Sequence, residues 1–149
     1  MNMFIQALKP KADAKIKAID VTEWRWRPIR SVMAIANQRC YEKTGSLPVP
    51  YESMESLDGN YGYRIDDPNI CIRLGEEMIA LAHNPEVLEE YGMSVRIEDG
   101  SFVYTYPVDA CTGCFEVRNE TKLSQYWVSE EALVEISEFI RDSGGIIAP

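Results

Sequence analysis

The sequence predicts an α+β fold, with about three helices packed on a small antiparallel sheet. Apolar residues recur with helical spacing in three segments, at about 28–42, 68–83 and 130–143. A fourth segment, at about 95–106, alternates apolar and polar residues around an Asp-Gly pair, which is typical of a β-hairpin. This order of two helices, a hairpin and a final helix favours helices that cover one face of the sheet.

The chain has 149 residues, which suits a single domain over its whole length. A domain of this size buries roughly 70% of its unfolded surface, so it needs no disulfide or metal merely to fold. We expect the core in residues 22–147, preceded by an N-terminal segment, 1–21, that is hard to assign. Within that segment, 3–8 and 16–21 each have the composition of a short strand.

The first helix is predicted over residues 28–42. Pro28 suits the first turn of a helix, because its missing N–H leaves no backbone donor unpaired there. One helical face then carries apolar residues, namely Ile29, Val32, Met33, Ala36 and Cys40. Residues 43–66, with several glycines and prolines, are predicted to be irregular.

The second helix is predicted to begin with Asp67 as the N-cap and Pro68 at the first helical position. Its apolar face consists of Cys71, Leu74, Met78, Leu81 and Ala82. Asn84 and Pro85 end it, since Pro85 cannot continue a helix. A short helix over 86–91 follows.

The hairpin is predicted from Asp99-Gly100, a pair that favours a two-residue type I′ turn. Such a turn fixes the strand register as Glu98 with Ser101, Ile97 with Phe102, Arg96 with Val103 and Val95 with Tyr104. This register brings apolar residues of both strands to one face, which supports the assignment. Segments 115–118 and 126–128 are candidates for further strands.

The last helix has signals at both ends. Ser129 is a favourable N-cap, and Glu130 and Glu131 lie where the helix dipole favours negative charge. Gly144 and Gly145 terminate it. Its predicted core face consists of Ala132, Leu133, Ile136, Phe139 and Ile140.

The formal net charge is -9, and it is unevenly distributed. Residues 1–43 have nine Lys/Arg and four Asp/Glu, whereas residues 44–149 have six Lys/Arg and twenty Asp/Glu. The acidic part repels phosphate backbones, so nucleic acid is an unfavourable partner. The charge also permits the acidic part to mimic nucleic acid and to occupy a basic groove on another protein. The basic segment 9–17 either pairs with the acidic part, lies on a solvated face or contacts a partner.

Membrane insertion and secretion are not expected. The longest apolar runs, such as 78–82, are far shorter than the about 20 residues that span a membrane. Residues 1–8 have neither the basic start nor the apolar core of a secretory signal. The expected compartment is the reducing cytoplasm, so the four cysteines are not expected to form structural disulfides. Cys40 and Cys71 are predicted to be buried as small apolar residues.

The Cys111-Thr112-Gly113-Cys114 motif is the recognisable chemical signal, because two such thiolates can share a tetrahedral zinc ion. A structural zinc site needs four ligands, and the remaining candidates are Cys40, Cys71 and His83. The favoured interpretation is two thiols in a turn between strands. No cofactor is then expected, and zinc is the one alternative. A thioredoxin-like role is disfavoured, since no helix is predicted to begin at the motif.

No catalytic residues are predicted. The chain has one histidine, His83, and lacks a nucleophile elbow, a phosphate-binding loop and a His-Glu-x-x-His motif. The carboxylate pairs Asp66-Asp67 and Glu76-Glu77 are interpreted as helix-cap and solvated-face charges. These absences predict a protein that is not an enzyme.

The Trp24-Arg25-Trp26-Arg27 segment is a candidate interaction surface. Tryptophan and arginine are enriched at binding hot spots, so Trp24, Trp26 and Arg27 are candidate partner-binding residues. In the alternative interpretation, the tryptophans cover the core at the start of the helix and the arginines pair with acidic neighbours.

Three segments together resemble a group of small uncharacterised proteins of tailed bacteriophages and prophages. They are Trp24 to Ile29, Asn60-Tyr61-Gly62 ahead of a helix, and Ile136 to Gly145 with its Phe-x-Arg-x-Ser-Gly-Gly ending. The resemblance spans about residues 22–147, and many members carry a CxxC motif at a corresponding position. This chain has Asn-Tyr-Gly where those proteins have Asn-Asp-Gly, and it lacks their cysteine in the tail. The resemblance implies a phage accessory protein in the bacterial cytoplasm and assigns no function.

The predicted function is therefore non-enzymatic binding of a protein partner by a small acidic domain. An inhibitor of a bacterial defence complex, with its acidic surface facing a basic groove, is one such protein. The alternatives are a structural module stabilised by zinc at Cys111 and Cys114, and an enzyme whose site the sequence does not reveal.

Overall fold

A computed structural model describes residues 2–50, 63–84, 86–89, 95–98, 101–104 and 127–148. The described part confirms the α+β class. The elements in chain order are β1 Asn2–Ala7, β2 Ala18–Thr22, α1 Glu23–Thr44, β3 Tyr63–Ile65, α2 Pro68–His83, α3 Glu86–Glu89, β4 Val95–Glu98, β5 Ser101–Tyr104, β6 Trp127–Ser129, α4 Glu130–Arg141 and β7 Ile146–Ala148. Among these residues, no helix is long and apolar enough to cross a membrane.

The described strands form two antiparallel sheets where the sequence predicted one. The first has the strand order β2-β1-β7-β3, and the second has the order β4-β5-β6. In the second sheet, β4 and β5 pair in the register that the Asp-Gly turn predicts, from Val95 opposite Tyr104 to Glu98 opposite Ser101. The predicted strands near the N-terminus are also confirmed, as β1 and β2. The candidate strand at 115–118 lies outside the described residues.

Strands β3 and β7 were not predicted, and β3 shows that the prediction of an irregular segment over 43–66 was wrong at its end. Each has only three residues, too few for an alternating pattern to be recognised in the sequence. Nevertheless, β7 lies between β1 and β3 in the first sheet and pairs with both. The chain after the last helix therefore completes the sheet that the N-terminal strands begin.

Helices α2 and α4 begin at their predicted caps. The Asp67 side chain accepts a hydrogen bond from the Asn69 N–H (2.9 Å), and the Ser129 hydroxyl accepts one from the Ala132 N–H (3.1 Å). Side chains at these helix starts thus satisfy backbone donors that have no partner within the helix.

The predicted start of α1 was wrong by five residues. The helix begins at Glu23 with Thr22 as its N-cap, and the Thr22 hydroxyl accepts a hydrogen bond from the Arg25 N–H (3.2 Å). Pro28 lies inside the helix and is buried. Because Pro28 has no N–H, the helix lacks one backbone bond at this point, yet the earlier cap stabilises its first turn.

The core lies where the helices meet the two sheets. Helix α2 packs closely on α4 and also contacts α1, and α1 reaches both sheets. The predicted apolar face of α2 is buried throughout, with Cys71, Leu74, Met78, Leu81 and Ala82 at most 1% exposed. Gly75 permits the close approach of α4, because a β-carbon there would lie 2.7 Å from the Ser137 carbonyl oxygen.

The Ser-Gly-Gly segment after α4 has a structural role. The buried Ser143 hydroxyl donates to the Ile140 carbonyl (2.7 Å) and accepts a hydrogen bond from the Gly145 N–H (3.2 Å). Gly144 and Gly145 have φ values of +68° and +130°, which disfavour any residue with a β-carbon. This turn redirects the chain from α4 into β7.

Candidate functional site

Of the three predicted partner-binding residues, one lies in the core and the other two have side chains outside the described part. Trp26 lies on α1 and is 2% exposed, within the main apolar core. This burial favours the interpretation in which the tryptophan covers the core, and it leaves Trp26 almost no surface for a partner. Trp24 and Arg27 also lie on α1, but their side chains fall outside the described part.

The predicted zinc ligands Cys111 and Cys114 lie outside the described residues. Among the residues that are described, no three His, Cys, Asp or Glu side chains cluster in a way that could hold a metal ion. His83 is exposed at the end of α2, where its Nδ1 lies 3.4 Å from a carboxylate oxygen of Glu130. Zinc binding by the CxxC motif stays a prediction, which metal analysis of the purified protein would test.

The thiols of Cys40 and Cys71 are buried, as the helical pattern predicted. Burial raises the pKa of both thiols. The Glu77 carboxylate raises the pKa of Cys40 further, and polar contacts with the Ser143 side chain and the Gly145 backbone partly oppose the shift in pKa at Cys71. A thiol whose pKa is raised is a poor nucleophile at neutral pH, so these two cysteines are structural.

The interpretation of Glu77 as a solvated charge was wrong. Its side chain is only 9% exposed and bonds to two cations of α1, with Arg39 Nε at 2.6 Å and Lys43 Nζ at 2.7 Å. Burial alone would raise the pKa of Glu77, but the two hydrogen bonds outweigh it and hold that pKa below its ordinary value. The carboxylate therefore joins α2 to α1. Its neighbour Glu76 is exposed, as predicted.

A groove runs along α4, between this helix and the loop that joins β1 to β2. It consists of two adjoining cavities of about 190 and about 600 Å³. Both cavities are lined by Lys15 and Ile16 of the loop and by Glu135 and Glu138 of the helix. We call this feature the α4 groove. Its larger cavity falls within the size range of ordinary ligand sites.

Backbone hydrogen bonds hold the loop beside the helix. The Leu8 N–H donates to the Gly145 carbonyl (2.8 Å), and the Lys9 N–H donates to the Ser143 carbonyl (2.8 Å). The Lys11 N–H donates to the Asp142 carbonyl (3.0 Å). The turn after α4 thus fixes the position of the opposite wall of the groove.

The α4 groove is acidic. Its lining contains six carboxylates, one lysine and one arginine, a formal charge of −4. The carboxylates are Asp13, Glu130, Glu131, Glu135, Glu138 and Asp142. Residues 131, 135, 138 and 142 recur at intervals of four, three and four, which places them along one side of the helix. Their row is about 16 Å long at 1.5 Å per residue.

Basic residues of the chain neutralise one end of this row. The Arg141 guanidinium bonds to Asp142 (2.9 Å) and holds the pKa of that carboxyl below its ordinary value. Lys11 also lies 3.3 Å from Asp142, so the basic segment pairs in part with the acidic body. Among the described residues, Glu131 and Glu135 form no ion pair. The negative charge of the groove is therefore least compensated in the first turns of α4.

Apolar side chains lie between the charged ones. Ile16 and Val134 line the larger cavity and are partly buried, and the buried Phe139 lines the smaller one. The described lining contains no serine, threonine or cysteine that could act as a nucleophile. The arrangement is suited to a ligand that is both cationic and apolar. The regular spacing of acidic residues along α4 was the sequence signal for the groove. The opposite wall comes from a distant segment of the chain, so the sequence did not indicate it.

Comparisons of the chain with protein-family models, with curated proteins and with solved structures found no match in any of the three. The function is therefore inferred from the charge, shape and lining of the groove.

Proposed function

We propose that this protein is a non-enzymatic binding protein that presents the α4 groove to a basic protein partner. The observation that carries this proposal is the combination of six carboxylates and an apolar lining in one groove. Carboxylates steer a basic partner and set its orientation, whereas apolar contacts supply affinity that salt does not screen.

A protein partner fits this groove better than a nucleic acid. Phosphate backbones carry dense negative charge and bind cationic surfaces, whereas this groove has a formal charge of −4. The resemblance to phage and prophage proteins supports a partner in the bacterial cytoplasm. A bacterial defence complex that exposes a basic segment is a partner of this kind, and the protein would then act as its inhibitor.

The test is affinity capture from bacterial lysate with a charge-reversed groove. The variant Glu131→Lys/Glu135→Lys changes two exposed carboxylates of the groove. The control Asp20→Lys/Glu86→Lys makes the same change in net charge at exposed positions on β2 and α3. We expect the wild-type chain and the control to retain the same basic proteins, and the groove variant to lose them.

Ionic strength provides a second criterion. At 0.1 M salt the screening length is about 10 Å, so partners held by the groove should elute as salt rises. Retention of the same proteins by the groove variant, or selection of partners that are not basic, would contradict the proposal. Circular dichroism of each variant would verify that it is folded.

A further inference from the structure

We propose that the α4 groove takes a short extended segment whose lysine or arginine side chains alternate with apolar side chains. The inference rests on the proposed function, since it specifies the part of the basic partner that enters the groove. It is carried by three features of the groove, namely the spacing of its carboxylates, its apolar lining and the pairing of its charges.

The spacing of the carboxylates matches an extended chain. Along the helix axis, Glu131 and Glu135 are about 6 Å apart, Glu135 and Glu138 about 4.5 Å, and Glu138 and Asp142 about 6 Å. Side chains on one side of an extended chain recur every two residues, or about 6.6 Å. Lysines at alternate positions would therefore each meet a carboxylate of α4 without a change in the helix.

The apolar lining accounts for the side chains between the cations. In an extended chain these side chains point away from the first set. The wall opposite α4 contributes Ile16, and Val134 lies between the carboxylates of the helix. Alternate apolar side chains of the ligand would contact Ile16, and the methylene groups of its lysines would contact Val134, in a cavity of about 600 Å³ that accommodates a few side chains.

The existing ion pairs indicate which carboxylates receive the ligand. Glu131 and Glu135 form no ion pair with any described residue, so a cation can approach them without displacing another. Asp142 already bonds to Arg141 and Lys11. The ligand cations would therefore bind first at the beginning of α4. A second copy of this chain is a poor occupant, because two chains of net charge -9 repel each other.

The test is an NMR titration of the full-length ¹⁵N-labelled protein with three synthetic hexapeptides. The first alternates lysine and leucine, the second alternates lysine and serine, and the third alternates glutamate and leucine. We expect the Lys-Leu peptide to shift amide signals of residues 13–16 and 131–138. We expect the Lys-Ser peptide, which has the same charge, to bind several-fold more weakly, and the Glu-Leu peptide to leave these signals unchanged.

Variants localise the binding. Glu131→Gln/Glu135→Gln should weaken binding of the Lys-Leu peptide about tenfold, because it removes two charges at the groove surface. Asp20→Asn/Glu86→Asn removes two exposed charges elsewhere and should leave binding unchanged. The ¹⁵N spectrum of each variant without peptide reports whether the chain remains folded, and both pairs of positions are exposed.

Three results would overturn the inference. They are signal changes confined to other surfaces, equal binding of the Lys-Leu and Lys-Ser peptides, and equal binding by the groove variant. If capture from lysate still depended on the groove carboxylates, the proposed function would stand and only this ligand assignment would fail. Conversely, peptide binding in the groove without capture of a basic protein would count against the proposed function alone.

Discussion

Replacement of Glu77 by glutamine should weaken the attachment of α1 to α2 and so lower the free energy of unfolding. The carboxylate is 9% exposed and bonds to both Arg39 and Lys43. Removing one partner of a buried ion pair costs about 3–5 kcal/mol when the other charge stays buried. Here the Arg39 and Lys43 side chains are 25% and 55% exposed, so both can regain water. We therefore expect a loss of about 2 kcal/mol in the free energy of unfolding.

This loss is measurable by thermal and urea denaturation. For a chain of this size, 1 kcal/mol corresponds to about 2–4 °C, so Glu77→Gln should lower Tm by about 4–8 °C. The control is Glu76→Gln, an exposed neighbour on the same helix, which should change stability by less than about 0.5 kcal/mol.

The pH dependence tests the same interaction by a second route. The pKa of Glu77 is held below its ordinary value, so the folded chain binds this proton less readily than the unfolded chain. The contribution of Glu77 is therefore present above the unfolded-state pKa of about 4.3 and is lost as pH falls through the lower folded-state pKa. The stability difference between wild type and Glu77→Gln should shrink over that range. Equal stability at pH 7, or a difference that does not change on acidification, would refute this reasoning.

Three further substitutions should also destabilise the fold, each measurable by urea denaturation against wild type. Gly75→Ala should cost about 1–3 kcal/mol, because its β-carbon would lie 2.7 Å from the Arg141 backbone nitrogen, and an unchanged midpoint would contradict this close approach. Asn37→Ala should cost about 2–3 kcal/mol, since the buried amide bonds to both the N–H (2.9 Å) and the carbonyl (2.8 Å) of Val49. A loss below about 0.5 kcal/mol would show that water replaces these bonds. Gly144→Ala should destabilise by at least about 1 kcal/mol, because φ is +68° there, and a neutral effect would show that the turn relaxes.

The candidate groove could be predicted only in part. The positions of Glu131, Glu135 and Glu138 on one side of a helix follow from their spacing in the sequence. The loop that contributes Lys15 and Ile16 is more than a hundred residues away in the chain, and its position depends on backbone bonds to the turn after α4. The charge of the groove was therefore visible in the sequence, whereas its shape was not.

Local interactions explain why much of the fold was predictable. The caps at Asp67 and Ser129, the buried face of α2 and the register of the hairpin each depend on residues that are near one another in the sequence. Such features form from a few neighbouring side chains and backbone groups, so the pattern of residue types is sufficient to identify them.

Only the tertiary structure decided the features that join distant segments. Strand β7 takes its place in the sheet because β1 and β3 supply its hydrogen-bond partners. Glu77 is buried because α1 supplies two cations to α2. A three-residue strand is not stable without neighbouring strands, and a buried carboxylate is not stable without cations. The partners of each therefore determine whether it forms. The sequence alone thus specified the helices, the hairpin and the acidic charge, and long-range contacts determined how these elements form the groove.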